Sequence, residues 1–192
     1  MQQYAREDAS SPQVVQLARD IRLSSTKQDQ LSLVESAWWW VKRNVQFTQD
    51  EESAVAGGFG SDVIEILIRP RDMIQLCRTG GCRRMGDCDD FSMLLASLLI
   101  ALGIPAGDVF FRTVAADGRD PNRYSHVYVA ARINGVMVPL DASHGTNPGW
   151  ETVNKFGKRE DWPVGGCNTG ALIRLGVLAM IAFYGARYMK WL

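Results

Sequence analysis

The sequence predicts an α+β fold, in which helices precede an antiparallel sheet along the chain. The first observation is the stretch 86–102, whose second half is apolar and rich in helix formers, with a glycine and a proline soon after it. The second is the dipeptide Asn134-Gly135 between two extended stretches, which is typical of a tight β-hairpin turn. The 192 residues are enough for one domain with a sizeable hydrophobic core and an additional segment.

The composition and charge exclude some classes of function. The 21 basic and 21 acidic residues give a formal net charge of zero, so we expect no broad positive surface and no nucleic-acid partner. Four cysteines do not form the disulfide framework of a small secreted protein. Residues 1–11 are polar and lack the apolar region of a signal peptide. We therefore expect synthesis in the cytoplasm without a signal peptide.

The N-terminal part is predicted to contribute one helix and a frayed start. Residues 1–11 are polar and expected to be frayed. Over residues 12–21 the apolar positions recur at helical spacing, with Ser11 as a capping residue and Pro12 in the first turn.

A second helix is predicted at about residues 29–44, after a polar linker over residues 23–28. It carries three consecutive tryptophans, from Trp38 to Trp40. Because neighbours on a helix lie about 100° apart, the three rings cannot face one side. We expect at least one of them to line a cleft, a second domain or a partner surface, unless the three cover several faces of the core.

The stretch before the central helix is predicted in less regular pieces. Residues 45–48 are predicted to be extended, and residues 51–61 form an acidic and glycine-rich loop. Residues 63–68 have strand propensity, and residues 71–76 can start a short helix.

Cys88 lies at the start of the central helix. The helix dipole and the unpaired N–H groups there favour a thiolate, whereas Asp87, Asp89 and Asp90 oppose it unless they cap the helix or point away. In the alternative interpretation Cys88 is a small core residue. The helix is anchored by apolar residues at helical spacing: Phe91, Leu94, Leu95, Leu98 and Leu102.

The predicted strands place a histidine near an aspartate. Strands are expected over residues 108–114, 125–133 and 136–140. Counted from the Asn134-Gly135 turn, His126 lies eight residues before it and Asp141 six after it, so both fall near the same end of adjacent strands. A nucleophilic cysteine needs an imidazole base and a group that orients this base. Cys88, His126 and Asp141 are therefore the candidate catalytic residues.

Several stretches resemble the three motifs of the transglutaminase-like superfamily, which surround a Cys, a His and an Asp in this order. The resemblance covers roughly residues 31–150. It is strongest to small members encoded by bacteriophages and prophages, in which a Pro-Gly-Trp segment follows the third motif. It implies a papain-like core, with Cys88 as nucleophile, His126 as base and Asp141 as orienting carboxylate. The resembling stretches are residues 86–91, 94–105, 125–129 and 138–143.

The resemblance implies an acyl-transfer enzyme that forms a thioester and needs no cofactor. Its substrate would be a protein, peptide or cell-wall amide. Hydrolysis is favoured over crosslinking, because Cys88 stands between two aspartates where animal crosslinking enzymes have Gln-Cys-Trp. The alternative is a non-catalytic structural protein of a phage particle that retains the fold. Synthesis would then be in the bacterial cytoplasm, with the protein virion-associated or membrane-associated.

The oxyanion donors and substrate contacts are left open by the sequence. The backbone N–H of Cys88 is one natural oxyanion donor at a helix start. The second donor is either the side chain of Gln75 or the indole of Trp40. Tyr128 keeps the aromatic residue that many relatives carry two positions after the histidine, and it is a further candidate for substrate contact.

A metal site is not expected from the spacing of the nominal ligands. The cysteines lack the tight Cys-x-x-Cys spacing of structural zinc sites. We interpret His144 as a solvated loop histidine. The nominal ligands are Cys77, Cys82, Cys88, His126, His144 and Cys167.

The C-terminal residues 171–192 are predicted to form an apolar helix after a hinge over residues 164–169. The apolar run is shorter than the roughly 20 residues that a spanning helix needs. The helix could still cross or lie in a bilayer, or dock a partner such as a phage structural protein, and we favour these over the alternative that it packs on its own core. We therefore divide the chain into a helical extension (1–28), a core (29–165) and this C-terminal helix (166–192).

Overall fold

The computed structural model describes residues 1–49, 67–75, 84–117, 120, 122–152 and 158–166. The architecture is α+β, as the sequence predicts: the N-terminal helices and a central helix pack on a four-stranded antiparallel sheet. The helices are α1 (Gln2–Asp8), α2 (Pro12–Ser24), α3 (Gln30–Asn44), α4 (Pro70–Gln75) and α5 (Cys88–Ala101). The strands are β1 (Val45–Phe47), β2 (Arg84–Gly86), β3 (Val109–Val114), β4 (His126–Ile133), β5 (Val136–Leu140) and β6 (Arg159–Pro163).

Helix α5 is the centre of the hydrophobic core. All its residues from 90 to 99 are buried, and α1, α2, α3, β3 and β4 pack against it. The side chain of Asp87 caps its first turn and accepts hydrogen bonds from the N–H groups of Asp89 (3.0 Å) and Asp90 (3.5 Å). The helix is followed by Gly103 with a φ of 99°, a conformation that favours glycine. These ends confirm the predicted central helix.

The prediction that residues 1–11 are frayed is wrong, because α1 is held by tertiary contacts. Ala5 is fully buried, and its carbonyl accepts a hydrogen bond from the hydroxyl of Ser97 on α5 (3.0 Å). The buried carboxylate of Asp8 pairs with Arg69 at 2.6 Å. The following helix α2 is capped by Ser11 as predicted, and it extends to Ser24.

The three tryptophans of α3 face different sides of the helix. Trp38 is completely buried in the core, whereas Trp39 and Trp40 are half-buried at its edge. The guanidinium of Arg43 lies 4.8 Å from the ring centroid of Trp39, and that of Arg84 lies 5.1 Å from Trp40. The rings therefore cover several faces of the core, which was the alternative left open by the sequence.

The sheet has the strand order β5-β4-β3-β6. The predicted hairpin joins β4 and β5 through Asn134 and Gly135, both with positive φ (51° and 82°), as a tight turn of this kind requires. Strand β6 has no counterpart in the sequence prediction, and it pairs with β3 at the edge of the sheet. Separately, β1 pairs in parallel with β2, so the end of α3 lies beside the start of α5.

Several predicted features lie outside the described residues: the loop over 51–61, most of the strand over 63–68, three of the cysteines and the C-terminal helix over 171–192. Among the helices that the structure describes, none has the length and apolar character needed to cross a membrane. A single hydrophobic core includes buried residues from Ala5 to Val164. The division into three segments stays a prediction.

Candidate active site

A cavity of about 790 Å³ lies at the N-terminus of α5, beside the start of β4. Cys88 and His126 both line it, together with Phe47, His144 and Thr152. The cavity is therefore bordered by β1, by the first residue of α5 and by the loop that follows β5. Two of the three predicted catalytic residues share this surface, and the third lies directly behind the histidine.

Cys88 is half-buried, and its surroundings favour the protonated thiol. Burial, the charge of Asp87 and the charge of Asp89 raise the pKa of the thiol to about 12, and a hydrogen bond from the backbone N–H of Val127 opposes this only in part. The thiol itself lies 3.7 Å from Oδ1 of Asp89. The sequence left open whether the dipole or the aspartates prevail, and in the structure burial is the largest cause of the raised pKa, with the aspartates adding to it. The contact with Val127 also brings the sulfur next to the residue that follows His126.

His126 and Asp141 form a buried hydrogen-bonded pair. Nε2 of His126 lies 2.7 Å from Oδ2 of Asp141, and both side chains are almost completely buried. The strand register explains the meeting: Val129 pairs with Leu140, so Asp141 lies one residue beyond the paired part of β5 and beside the start of β4. The structure thus brings together the two residues that the hairpin count placed at the same strand end.

The Asp141 carboxylate accepts four hydrogen bonds. Oδ2 accepts from His126 and from the hydroxyl of Thr152 (2.5 Å), and Oδ1 accepts from the hydroxyl of Ser143 (2.9 Å) and the N–H of His144 (3.0 Å). Burial alone would raise the pKa of this carboxyl, but hydrogen bonding and charge from His126, with the other donors, lower it well below its usual range.

The ionised Asp141 determines the tautomer of His126. A carboxylate can only accept, so Nε2 of His126 carries the hydrogen of this pair. In the neutral ring, Nδ1 then holds the lone pair. This is the arrangement that a general base needs: one nitrogen oriented by a carboxylate and the other available to take a proton.

His144 is part of the site rather than a separate loop residue. Its ring centroid lies 4.6 Å from that of His126 and 5.0 Å from that of Phe47, in both cases edge to face. Burial and the neighbouring His126 lower the pKa of His144, which favours the neutral ring. His144 is exposed in its loop, as the sequence predicts, and the structure adds that it lines the cavity. The sequence carries a local signal for this, because an aspartate often accepts from backbone groups two or three residues later.

Tyr128 packs behind His126, a position that does not fit the substrate contact that was predicted for it. Its ring stacks on His126 with a centroid distance of 5.6 Å, and its hydroxyl donates to Glu151 at 2.6 Å. The side chain is only 1% exposed. The structure thus places Tyr128 against the base, with its hydroxyl engaged by a carboxylate.

The two candidate oxyanion side chains are not among the described residues that line the cavity with Cys88. Gln75 lines a second cavity, next to Gln13, whose amide donates to it at 3.2 Å. Trp40 packs at the edge of the core below Arg84. Their role in stabilising an oxyanion stays a prediction.

Two groups of side chains are close enough to be considered as metal ligands. The ligand atoms of His126, Asp141 and His144 lie within 4.8 Å of one another, and so do those of Asp87, Cys88 and Asp89. In the first group the 2.7 Å contact between Nε2 of His126 and Oδ2 of Asp141 is a hydrogen bond. Each oxygen of the Asp141 carboxylate already accepts two hydrogen bonds. The hydrogen-bonding groups of this first group are therefore satisfied within the protein, and the group does not call for a metal ion.

The chain is similar to known proteins at the level of solved structures. Neither the protein-family models nor the curated proteins give a match to this chain. Among solved structures, that of a chain described as a "putative cysteine protease" from Cytophaga hutchinsonii is similar, with a TM-score of 0.45 and 18% identity. The alignment covers 78% of this chain and 46% of the other, so this chain spans less than half of that protein's solved length.

Proposed function

We propose that the protein is a cysteine-dependent acyl-transfer enzyme with a papain-like or transglutaminase-like core. Cys88 is its nucleophile, His126 its general base and Asp141 the carboxylate that orients the base. The observation that carries the proposal is the 2.7 Å hydrogen bond between His126 and Asp141, in a pair that adjoins the cavity lined by Cys88. The chain order of the three residues and the motifs around them support the same assignment.

In the first step, Sγ of Cys88 attacks the carbonyl carbon of an amide. Because burial and the nearby aspartates favour the protonated thiol, its proton passes to Nδ1 of His126 as the carbon–sulfur bond forms. The carbonyl oxygen gains a negative charge, for which the backbone N–H at the start of α5 is a suitable donor. The C–N bond then breaks, and the imidazolium returns its proton to the leaving amine.

In the second step, a thioester on Cys88 is resolved. Water or an amine attacks its carbonyl and gives up a proton to His126, the carbon–sulfur bond breaks, and the thiol recovers that proton. Water produces a free acid, and an amine produces a new amide. We favour hydrolysis of a peptide, isopeptide or cell-wall amide, because aspartates flank Cys88 where crosslinking enzymes have Gln and Trp.

A peptidyl vinyl sulfone tests the proposal without a known substrate. The reagent is incubated with the protein at pH 7.5, and adducts are located by mass spectrometry. We expect one adduct, on Cys88, with labelling strongly reduced in His126→Ala. Cys77, Cys82 and Cys167 provide the baseline for cysteines without a catalytic base. Equal labelling of all four cysteines, or unchanged labelling in His126→Ala, would contradict the proposal.

One observation favours a second candidate, a non-catalytic protein of a phage particle that retains the fold. Burial and the charges of Asp87 and Asp89 raise the pKa of the Cys88 thiol, which disfavours a reactive thiolate in the free protein. In this role residues 171–192 would dock a partner or a membrane. Stable incorporation of Cys88→Ala into particles with full infectivity would support this candidate over the enzyme, whereas a loss of infectivity with normal incorporation would support the enzyme.

A further inference from the structure

Two consecutive residues that no motif includes, Glu151 and Thr152, lie beside the His126–Asp141 pair: Thr152 contacts Asp141 directly, and Glu151 contacts the tyrosine that stacks on His126. The hydroxyl of Thr152 donates to Oδ2 of Asp141 at 2.5 Å, the same oxygen that accepts from Nε2 of His126. Oε1 of Glu151 accepts from the hydroxyl of Tyr128 at 2.6 Å, and the Tyr128 ring stacks on His126. The segment 151–152 therefore contacts the carboxylate of the pair directly and the imidazole only through Tyr128.

Glu151 is itself held by a buried arginine. Nη1 of Arg112 on β3 donates to Oε1 of Glu151 at 2.9 Å, while its Nε and Nη2 bind Asp161 on β6 at 2.7 and 2.8 Å. Arg112 is only 4% exposed, whereas its two carboxylate partners are partly exposed, so solvent screens these charge-assisted hydrogen bonds from the carboxylate side only. The carboxylate of Glu151 is thereby tied to the middle of the sheet, and the backbone leading to Thr152 is tied with it.

Thr152 helps to hold the orientation of the Asp141 carboxylate, because it occupies one of the acceptor sites on Oδ2. A carboxylate oxygen accepts along two lone-pair directions, and on Oδ2 one is taken by His126 and the other by Thr152. Rotation of the carboxylate would break both contacts and those of Ser143 and His144 on Oδ1. Thr152 also lines the cavity, so its side chain stands between Asp141 and the solvent there. As a β-branched residue, threonine has few alternative rotamers in which this contact would be lost.

We propose that Thr152 is a positioning residue for the His126–Asp141 pair, with Glu151 as the anchor of its segment. Thr152 keeps the carboxylate oriented so that the hydrogen of His126 stays on Nε2 and the lone pair on Nδ1. The inference rests on the proposed function for its catalytic consequence. Its structural consequence, the protection of the Nε2 hydrogen, is independent of any activity.

The matched variants are Thr152→Val, which removes the hydroxyl at nearly constant shape, and Thr152→Ser, which retains it. The first measurement is the exchange of the His126 Nε2 hydrogen with water by NMR. Since the chain has only two histidines, a His144→Gln sample assigns the signal. We expect exchange about tenfold faster in Thr152→Val, as the loss of one charge-assisted hydrogen bond implies, and a rate within about twofold of wild type in Thr152→Ser.

The second measurement is the rate constant for vinyl sulfone labelling of Cys88, with thermal unfolding as a control for folding. We expect a decrease of about tenfold in Thr152→Val and almost none in Thr152→Ser. Unchanged exchange in Thr152→Val, or equal effects of the two variants, would overturn the positioning role. If wild type is not labelled at all, the proposed function fails, and the exchange rates alone decide on Thr152.

Discussion

Asp141→Asn is the most informative single change in this protein, because it keeps the shape of the side chain and removes its charge. The carboxylate accepts four hydrogen bonds, two on each oxygen. An amide has one acceptor oxygen, and its NH2 group must face the donors of the other pair. Either His126 and Thr152 or Ser143 and His144 N–H therefore lose their acceptor.

The expected loss of stability is large at neutral pH and smaller in acid. Removing one partner of a buried ion pair or hydrogen-bonded charge costs about 3–5 kcal/mol. The folded-state pKa of Asp141 is lowered, so its contribution is complete above the ordinary carboxyl pKa of about 3.9 and is lost as the pH falls through the folded-state value. The difference in unfolding free energy between wild type and Asp141→Asn should therefore narrow between pH 7 and about pH 3.

The same change should nearly abolish the proposed activity. If the new NH2 group faces His126, Nε2 of the ring must accept, so the hydrogen moves to Nδ1 and the base loses its lone pair there. The corresponding aspartate-to-asparagine change in serine protease triads lowers kcat about 10⁴-fold for this reason. Cys88 labelling by the vinyl sulfone should fall to the level of the other cysteines.

Urea unfolding followed by tryptophan fluorescence measures the stability, since the chain has six tryptophans. Wild type and Asp141→Asn are compared at pH 7 and pH 3, with the labelling rate determined on the same samples at pH 7. An equal stability loss at both pH values would show that the charge of Asp141 is not the cause. Unchanged labelling in a folded Asp141→Asn protein would refute the assignment of Asp141 as the orienting residue.

Three further predictions concern the surroundings of the site. Iodoacetamide should alkylate Cys88 at pH 8 more slowly than an unperturbed cysteine in a peptide, since the thiol pKa is about 12; a faster rate would show a thiol activated in the free protein. Arg112→Met should destabilise the fold by about 1–3 kcal/mol, because it removes the hydrogen bonds of a buried guanidinium to two partly exposed carboxylates. Arg132→Met, at an exposed pair, should cost less than about 1 kcal/mol. Equal losses in urea unfolding would contradict this. Gly145→Ala should lower stability by about 1–3 kcal/mol, since an added Cβ would lie 2.2 Å from a carbonyl oxygen, and Gly107→Ala, with no atom within 4 Å, is the control.

The elements that the sequence predicts well are those with local signals at both ends. The central helix has a capping aspartate at its start and Gly103 after its end, and the hairpin has Asn134-Gly135. Such signals act through neighbouring backbone groups, so they can be recognised without knowing the rest of the fold. The meeting of His126 and Asp141 followed because a two-residue turn determines which residues of two strands lie opposite each other.

The features that the sequence did not predict depend on contacts between distant segments. Helix α1 is polar, and it is held by Ser97 and Arg69 from far along the chain. Strand β6 is charged and lies at the edge of the sheet, where Asp161 binds the buried Arg112. Thr152 reaches Asp141 across eleven residues without any local pattern. In each case a polar side chain has a partner that only the assembled fold brings within reach.

The charges around Cys88 explain why the rigid support of His126 matters for the proposed chemistry. A helix N-terminus favours a thiolate, but here the capping side chain of Asp87 accepts from two of its N–H groups and adds a negative charge of its own. Burial is the largest cause of the raised thiol pKa, and the charges of Asp87 and Asp89 add to it. The position of the thiol at the helix N-terminus is not enough to give a thiolate. In the proposed mechanism the thiol is therefore required to give its proton to a base during the attack. That requirement falls on Nδ1 of His126, whose availability depends on Asp141 staying where four hydrogen bonds hold it.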